Sequence, residues 1–198
     1  MSLAYLFGLI ILMGLLSNWL SKALATMAPY SIFRLALLPG IILHESAHVA
    51  GCWLTGARVH RVHFWTQSGG EVIHTQPKIP VIGPPIISFA PFVVGMYALW
   101  HLGIYLTVPP LEISWQRGLA VFLMMSIGAT LIPSKQDFKN SFGSLVVIAI
   151  LASAALYFFP SLWHPLNTYA QPLLKPFILV TAIIATLTFL ANLTMWRR

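Results

Sequence analysis

The residues best suited to chemistry in this sequence form one short motif, His44-Glu45-Ser46-Ala47-His48. Two histidines four residues apart share one face of a helix, so both imidazoles can bind one tetrahedral Zn²⁺. Glu45 directly follows the first histidine and flanks the metal, where it can accept a proton from an activated water. The motif predicts a hydrolytic metal site. The alternative is two histidines that hydrogen-bond to neighbouring helices, with Glu45 as the partner of one.

The composition gives this motif an apolar setting, because charged residues make up 8% of the 198 residues and hydrophobic residues 58%. Soluble chains carry about 25% charged residues, and a soluble domain this apolar could not cover its surface. These values exclude a disordered chain, a fibre and an ordinary cytosolic enzyme. They predict an all-α integral membrane protein. The net charge of +7 comes from scattered basic residues, so we expect no nucleic-acid partner.

Six apolar stretches approach the roughly 20 residues that a helix needs to cross a bilayer. They are 3–20, 35–55, 79–108, 118–132, 142–159 and 177–196. The sequence therefore predicts a single transmembrane domain over residues 1–198 with about six spans. A possible signal-peptide cleavage site, Ala23-Leu24-Ala25, follows the first stretch, but no Lys or Arg precedes the apolar run, so we expect this stretch to be retained. The third is rich in proline and should become helical only near Val93.

The connections between the stretches predict an orientation and a hairpin. Seven of the 11 Lys and Arg fall on the side of the two termini. Because cytoplasmic loops are enriched in these residues, we expect both termini in the cytoplasm and the protein in the cell membrane. The longest polar connection, residues 57–78, lies on the same side. Its two β-prone runs around Gly69-Gly70 predict a small cytoplasmic β-hairpin after the motif helix.

A catalytic zinc usually has three protein ligands, so the motif needs one more. The acids outside the motif are Glu71, Glu112 and Asp137. Asp137 follows the cytoplasmic end of the fourth stretch, on the side toward which the motif helix runs. Glu112 lies on the outer side, and Glu71 could reach the site only if the hairpin folds inward. The span order therefore favours Asp137 as the third ligand.

Asp137 also has a purely structural interpretation. Ser134-Lys135-Gln136-Asp137 has the spacing of an N-terminal capping box, and Pro133 before it suits a helix break. In that case Asp137 would only stabilise the start of the fifth helix. The two roles are compatible, because a carboxylate held at a helix start is also held in place for a metal.

The motif within an apolar stretch of a small multi-pass chain resembles the site-2 protease family of intramembrane zinc metalloproteases. An acidic residue 89 positions after His48, a β-rich connection after the motif helix and the Ala90-Pro91-Phe92 stretch also fit. The resemblance covers residues 33–145. The third-ligand segment departs from the family pattern, because no Asn precedes Pro133 and no Gly follows Asp137.

The resemblance implies a three-helix catalytic core of spans two to four. It also implies one Zn²⁺ per chain held by His44, His48 and Asp137, with Glu45 as the general base. The implied activity is hydrolysis of peptide bonds in or near transmembrane segments, so the expected partners are a transmembrane protein substrate and the lipid bilayer. The sequence does not indicate an oligomeric state.

The site leaves several roles open. His101 and Asn140 are candidate donors to a developing oxyanion. The hairpin at 59–74 could hold an unwound substrate as an added strand, or serve only as a cap. Two other functions compete with proteolysis: a membrane metal-handling protein, such as a zinc carrier or sensor, and an inactive protease-like scaffold. The concentration of ionisable residues in one motif favours a fixed site, and the intact Glu45 favours activity.

Overall fold

The computed structural model describes residues 2–27, 30–66, 69–107 and 114–195, and this part of the chain is mostly helical. Its elements are α1 (Ser2–Met27), α2 (Tyr30–Thr55), β1 (Val59–Thr66), β2 (Gly69–His74), α3 (Gly83–Thr107), α4 (Trp115–Ala129), α5 (Lys135–Phe158) and α6 (Trp163–Met195). A short 3-10 turn, Pro160–Leu162, joins α5 to α6. Helices therefore occupy all six predicted positions, and the hairpin follows the motif helix.

Not every helix is long enough to be a complete span. Candidate spans lie in α1, α2, α3 and α5, and a fifth consists of two parts, Pro160–Thr168 and Leu173–Phe189, bent by 57°. α4 has 15 residues, about 22 Å of helix, against a hydrocarbon core of about 30 Å. The described chain thus offers four or five candidate spans, and the prediction of six is not confirmed.

Two helices begin earlier than the hydropathy predicts, because local features start them. α3 begins at Gly83 rather than near Val93, with Pro84 and Pro85 in its first turn, where a missing N–H costs no helical hydrogen bond. The expectation of irregular backbone up to Val93 is therefore wrong. α5 begins at Lys135 rather than at residue 142, because a capping box closes its first turn.

The main core lies where α1, α3, α4 and α6 meet. Its buried side chains are Met13, Leu20, Ala23, Met96, Leu99, Met124, Ile127, Leu131, Val180 and Ile184. The motif helix α2 packs beside this core through two glycines. A Cβ on Gly40 would overlap the backbone of Ser126 in α4, and a Cβ on Gly51 would lie 2.9 Å from the Cα of Ile87 in α3. These glycines let the three backbones approach closely.

β1 and β2 pair antiparallel, with Val62 opposite Val72. Gly69 and Gly70 belong to β2, so the Gly-Gly pair does not form the turn, and the residues between the strands, 67–68, lie outside the described residues. The hairpin is thus confirmed, with its second strand starting two residues earlier than the β-prone run at Glu71.

The hairpin folds back along α2 instead of extending past its end. Arg34, in the second turn of α2, donates to the carbonyl of Thr66, and its guanidinium carbon lies 4.4 Å from the centroid of the Trp65 ring. Arg34 is 21 residues before Thr55, about 31 Å along a helix. The hairpin therefore runs beside most of α2, and β2 passes the middle of the motif helix.

Candidate metal centre

α2 and α5 bring together the three predicted ligands, His44, His48 and Asp137. One ligand atom from each lies within 4.8 Å of the others, and His48 Nε2 is 3.5 Å from Asp137 Oδ1. Two ligands of a tetrahedral zinc with bonds of 2.0–2.1 Å are about 3.3 Å apart. Among the described residues this is the one group of three such side chains, and its donors fit a metal ion.

Backbone carbonyls orient both histidines. His44 Nδ1 donates to the carbonyl of Thr130 at 2.7 Å, and His48 Nδ1 donates to the carbonyl of Ile87 at 2.8 Å. A carbonyl can only accept, so each Nδ1 carries the hydrogen, and in the neutral imidazole the lone pair is then on Nε2. This is the usual outer-shell arrangement of histidines that bind a metal.

Asp137 uses its two carboxylate oxygens differently. Oδ2 accepts from the Ser134 N–H at 2.7 Å, while the Asp137 N–H donates to Ser134 Oγ at 3.2 Å. Oδ1 faces His48. The predicted capping box is therefore confirmed, and the same carboxylate also reaches the histidines. Phe138 packs edge to face on Phe89 of α3, with ring centroids 5.4 Å apart, which fixes the start of α5 against the bundle.

Glu45 borders the three-residue group without belonging to it, as the motif spacing predicts. It is buried, with 7% of its surface exposed, and it lines the same cavity as the histidines. Gly70 of β2 lies directly against it, since a Cβ on Gly70 would overlap the Glu45 side chain. A strand thus passes close to the carboxylate that the motif assigns as the base.

One cavity of about 1230 Å³ contains the site. Its walls come from α2, β2, the following connection, α3 and the start of α5: His44, Glu45, His48, Gly70, Glu71, Val72, Ile73, His74, Thr75, Gln76, Pro77, Pro80, Pro84, Ile87, Ser88, Ser134, Lys135, Gln136, Asp137 and Asn140. This volume exceeds the 300–1,000 Å³ of a typical small-molecule pocket.

Of the other candidate residues, some line the cavity and others do not. Asn140 lines the cavity and accepts from Gln136 Nε2 at 2.8 Å. His101 does not line the cavity; it lies on α3 with its ring centroid 4.3 Å from that of Tyr97. Glu71 lines the cavity because the hairpin folds inward, although it is outside the three-residue group. Glu112 lies outside the described residues.

Three contributors to the site escaped the sequence analysis: the carbonyls of Ile87 and Thr130, and Gly70. Backbone groups produce no sequence motif, but a proline follows each of the two carbonyls within four residues. Pro91 lies four residues after Ile87, and Pro133 lies three residues after Thr130. Gly70 was assigned to the turn between the β-prone runs, but it lies in β2, where a glycine indicates a close approach by another group.

Comparison of the chain with family models, with curated proteins and with solved structures finds no match. The resemblance to the site-2 protease family therefore rests on the motif residues.

Proposed function

We propose that the protein is an intramembrane zinc metalloprotease of the site-2 protease type, which hydrolyses peptide bonds in or near transmembrane segments of membrane proteins. This proposal rests on one observation: His44, His48 and Asp137 lie together at one cavity, and Glu45 is buried beside them. A purely structural metal needs only its ligands. A carboxylate that borders the ligands without joining them is what a hydrolase requires.

The residues of the site have distinct roles in this reaction. A zinc ion held by His44, His48 and Asp137 would supply Lewis acidity toward water and the scissile carbonyl. Glu45 accepts the proton of the attacking water and delivers it to the leaving amine. His44 and His48 keep their Nδ1 hydrogens on backbone carbonyls throughout, so their Nε2 atoms stay directed at the site.

The hairpin supports a role in holding the substrate. A helical substrate hides its carbonyls in internal hydrogen bonds, so it must unwind before hydrolysis. β2 passes Glu45 at Gly70 and, in the described chain, pairs with β1 along one edge. An unwound segment added along the other edge would lie extended beside the cavity.

The membrane setting belongs to the same proposal. The four or five candidate spans are compatible with a multi-pass protein. If α4 and the bent α6 are counted as crossings beside the other four helices, both termini lie on the side with the excess of Lys and Arg, which supports cytoplasmic termini. The cavity then needs water from the cytoplasmic side. Carriers usually place ionisable groups along a path, whereas the described chain gathers one metal-binding group, which supports a fixed site over transport.

The decisive experiment replaces the base and keeps the ligands. Wild-type protein and Glu45→Gln are co-reconstituted in liposomes with a panel of single-span membrane proteins. Products are identified by mass spectrometry, and bound zinc is measured by elemental analysis. Glu45→Gln should keep its zinc and lose about 10²–10⁴-fold in cleavage rate, the usual contribution of a general base.

The matched control is Glu71→Gln, which removes another carboxylate of the same cavity and should leave cleavage in place. If Glu45→Gln cleaves as fast as the wild type, the protease proposal is wrong. A zinc carrier or an inactive scaffold would retain its function in both variants, because neither role needs a general base.

A further inference from the structure

The carbonyl that orients His48 is available because of a proline. In an α-helix the carbonyl of residue 87 accepts from the N–H of residue 91. Residue 91 is a proline inside α3 and has no N–H. The Ile87 carbonyl accepts from His48 Nδ1 instead, at 2.8 Å. A contact between α2 and α3 thus replaces a bond that α3 cannot make.

Burial leaves this carbonyl few other partners. Ile87 is 4% exposed and His48 is 6% exposed, so water has little access to the bond between them. Gly51, one turn after His48 on α2, lies against the α3 backbone at the same level, and any Cβ there would be 2.9 Å from the Ile87 Cα. Gly51 lets α3 approach α2, and Pro91 leaves the Ile87 carbonyl without its helical donor.

The acceptor of His44 arises in a related way. Thr130 is the C-cap of α4, and a continuing helix would bring the N–H of residue 134 to its carbonyl. Pro133 stops the helix, and the Ser134 N–H donates to Asp137 Oδ2 at 2.7 Å. The Thr130 carbonyl therefore accepts from His44 Nδ1.

We propose that Pro91 is a positioning residue of the metal centre. By removing one helical N–H it reserves the Ile87 carbonyl for His48 and fixes the tautomer that presents Nε2 to the metal. This inference rests on the proposed metal site. As a consequence, Pro91 weakens α3, the helix that contains it, and strengthens zinc binding by the histidine on α2.

The test is Pro91→Ala in the full chain. Alanine restores the N–H at position 91, which competes with His48 for the Ile87 carbonyl. It also makes α3 a more stable helix. Zinc affinity, measured by competition with a chelator, should fall about 10–100-fold, as for other outer-shell partners of metal-bound histidines. Resistance to denaturant in the metal-free protein should rise or stay the same.

Pro39→Ala is the matched control, because Pro39 also lies inside a helix, here α2 itself. It restores an N–H that would pair with residue 35, away from both histidines. This variant should keep wild-type zinc affinity. Pro91→Val, which also restores the N–H at position 91, should reproduce the loss seen with Pro91→Ala.

A second readout needs no metal. Side-chain ¹⁵N shifts of His48 in the metal-free protein should report hydrogen on Nδ1 in the wild type and in Pro39→Ala, and a mixture of tautomers in Pro91→Ala. If wild-type protein binds no zinc, the proposed function fails, yet these shifts still decide the inference.

Two results would overturn the inference. In the first, Pro91→Ala keeps both zinc affinity and the His48 tautomer, because the Ile87 carbonyl accepts from both donors. In the second, Pro91→Ala and Pro91→Val fail to fold while Pro39→Ala folds, which would mean that Pro91 acts through the packing of its ring.

Discussion

The two sides of the metal group are held by different kinds of contact. His44 and His48, on α2, are oriented by carbonyls 86 and 39 residues away in sequence. Asp137, on α5, is oriented by Ser134, three residues earlier. The α2 side therefore depends on how three helices pack, whereas the α5 side carries its own support. Changes in neighbouring helices should disturb the histidines, and Asp137 should respond mainly to changes in its own first turn.

Loss of a ligand from either side has the largest expected effect, and it tests whether the two sides serve one metal. His48→Ala and Asp137→Asn should each lose more zinc affinity than the 10–100-fold typical of outer-shell changes. Asparagine keeps an oxygen that can accept from the Ser134 N–H, so the helix cap survives while the charged ligand is lost. Chelator competition measures affinity, and denaturant unfolding measures the cap.

Equal losses in the two variants would support a single shared site. Wild-type zinc affinity in Asp137→Asn would reduce Asp137 to a capping residue. The search for a third ligand would then turn to Glu71, which lines the same cavity.

A second prediction concerns the α2 side alone, where Gly70 of β2 contacts the Glu45 side chain. Gly70→Ala places a Cβ in the space of the Glu45 side chain, so either the carboxylate or the strand must move. A displacement of about 1 Å can cost about 10²-fold in rate, and we expect a loss of that order in cleavage with zinc retained. Cleavage in liposomes and zinc content are measured together.

Gly143→Ala is the control, since a Cβ on that glycine of α5 meets nothing within 4 Å. Unchanged cleavage in Gly70→Ala would mean that β2 moves away from Glu45 during the proposed reaction. The contact seen between them would then belong to a resting arrangement.

The same division between local and distant contacts explains what the sequence could predict. The spacing of His44 and His48, and the capping box of Asp137, are relations within one helical turn, and both are found as predicted. The carbonyl partners of the histidines come from other helices, and nothing within α2 indicates them.

Errors in the predicted fold have a related cause. The prolines before Val93 led to the prediction of irregular backbone. Pro91 is nevertheless accommodated within α3, because His48 donates to the Ile87 carbonyl, which has no helical donor at position 91. The hairpin was predicted to follow α2 in sequence, but its position along the helix was not predicted. Its fold-back rests on Arg34 at one end of α2 and Glu45 in the middle, which are distant in sequence from the strands they contact. Hydropathy also placed a span at α4, which is too short to cross alone.

A third prediction weakens the packing that supports the α2 side. Ser126 is a buried residue of α4, one turn before Thr130, and its Oγ accepts from the Gly40 N–H at 2.8 Å. Ser126→Ala removes this buried hydrogen bond and should lower the free energy of unfolding by about 1–2 kcal/mol. Because Thr130 orients His44, zinc affinity should also fall, by less than the loss of a direct outer-shell partner. Denaturant unfolding and chelator competition report the two effects, and a stability loss with unchanged zinc affinity would contradict the coupling.

The smallest effect is expected on the α5 side, from Ser134→Ala with the same two measurements. The substitution removes the hydroxyl that accepts from the Asp137 N–H, which should cost about 1 kcal/mol of stability. The backbone N–H of residue 134 remains and still donates to Asp137 Oδ2, so the carboxylate keeps its orientation. Zinc affinity should therefore stay at the wild-type level, in contrast to Ser126→Ala. A marked loss of zinc affinity here would show that the hydroxyl holds the ligand, and the two sides of the site would then be equally fragile.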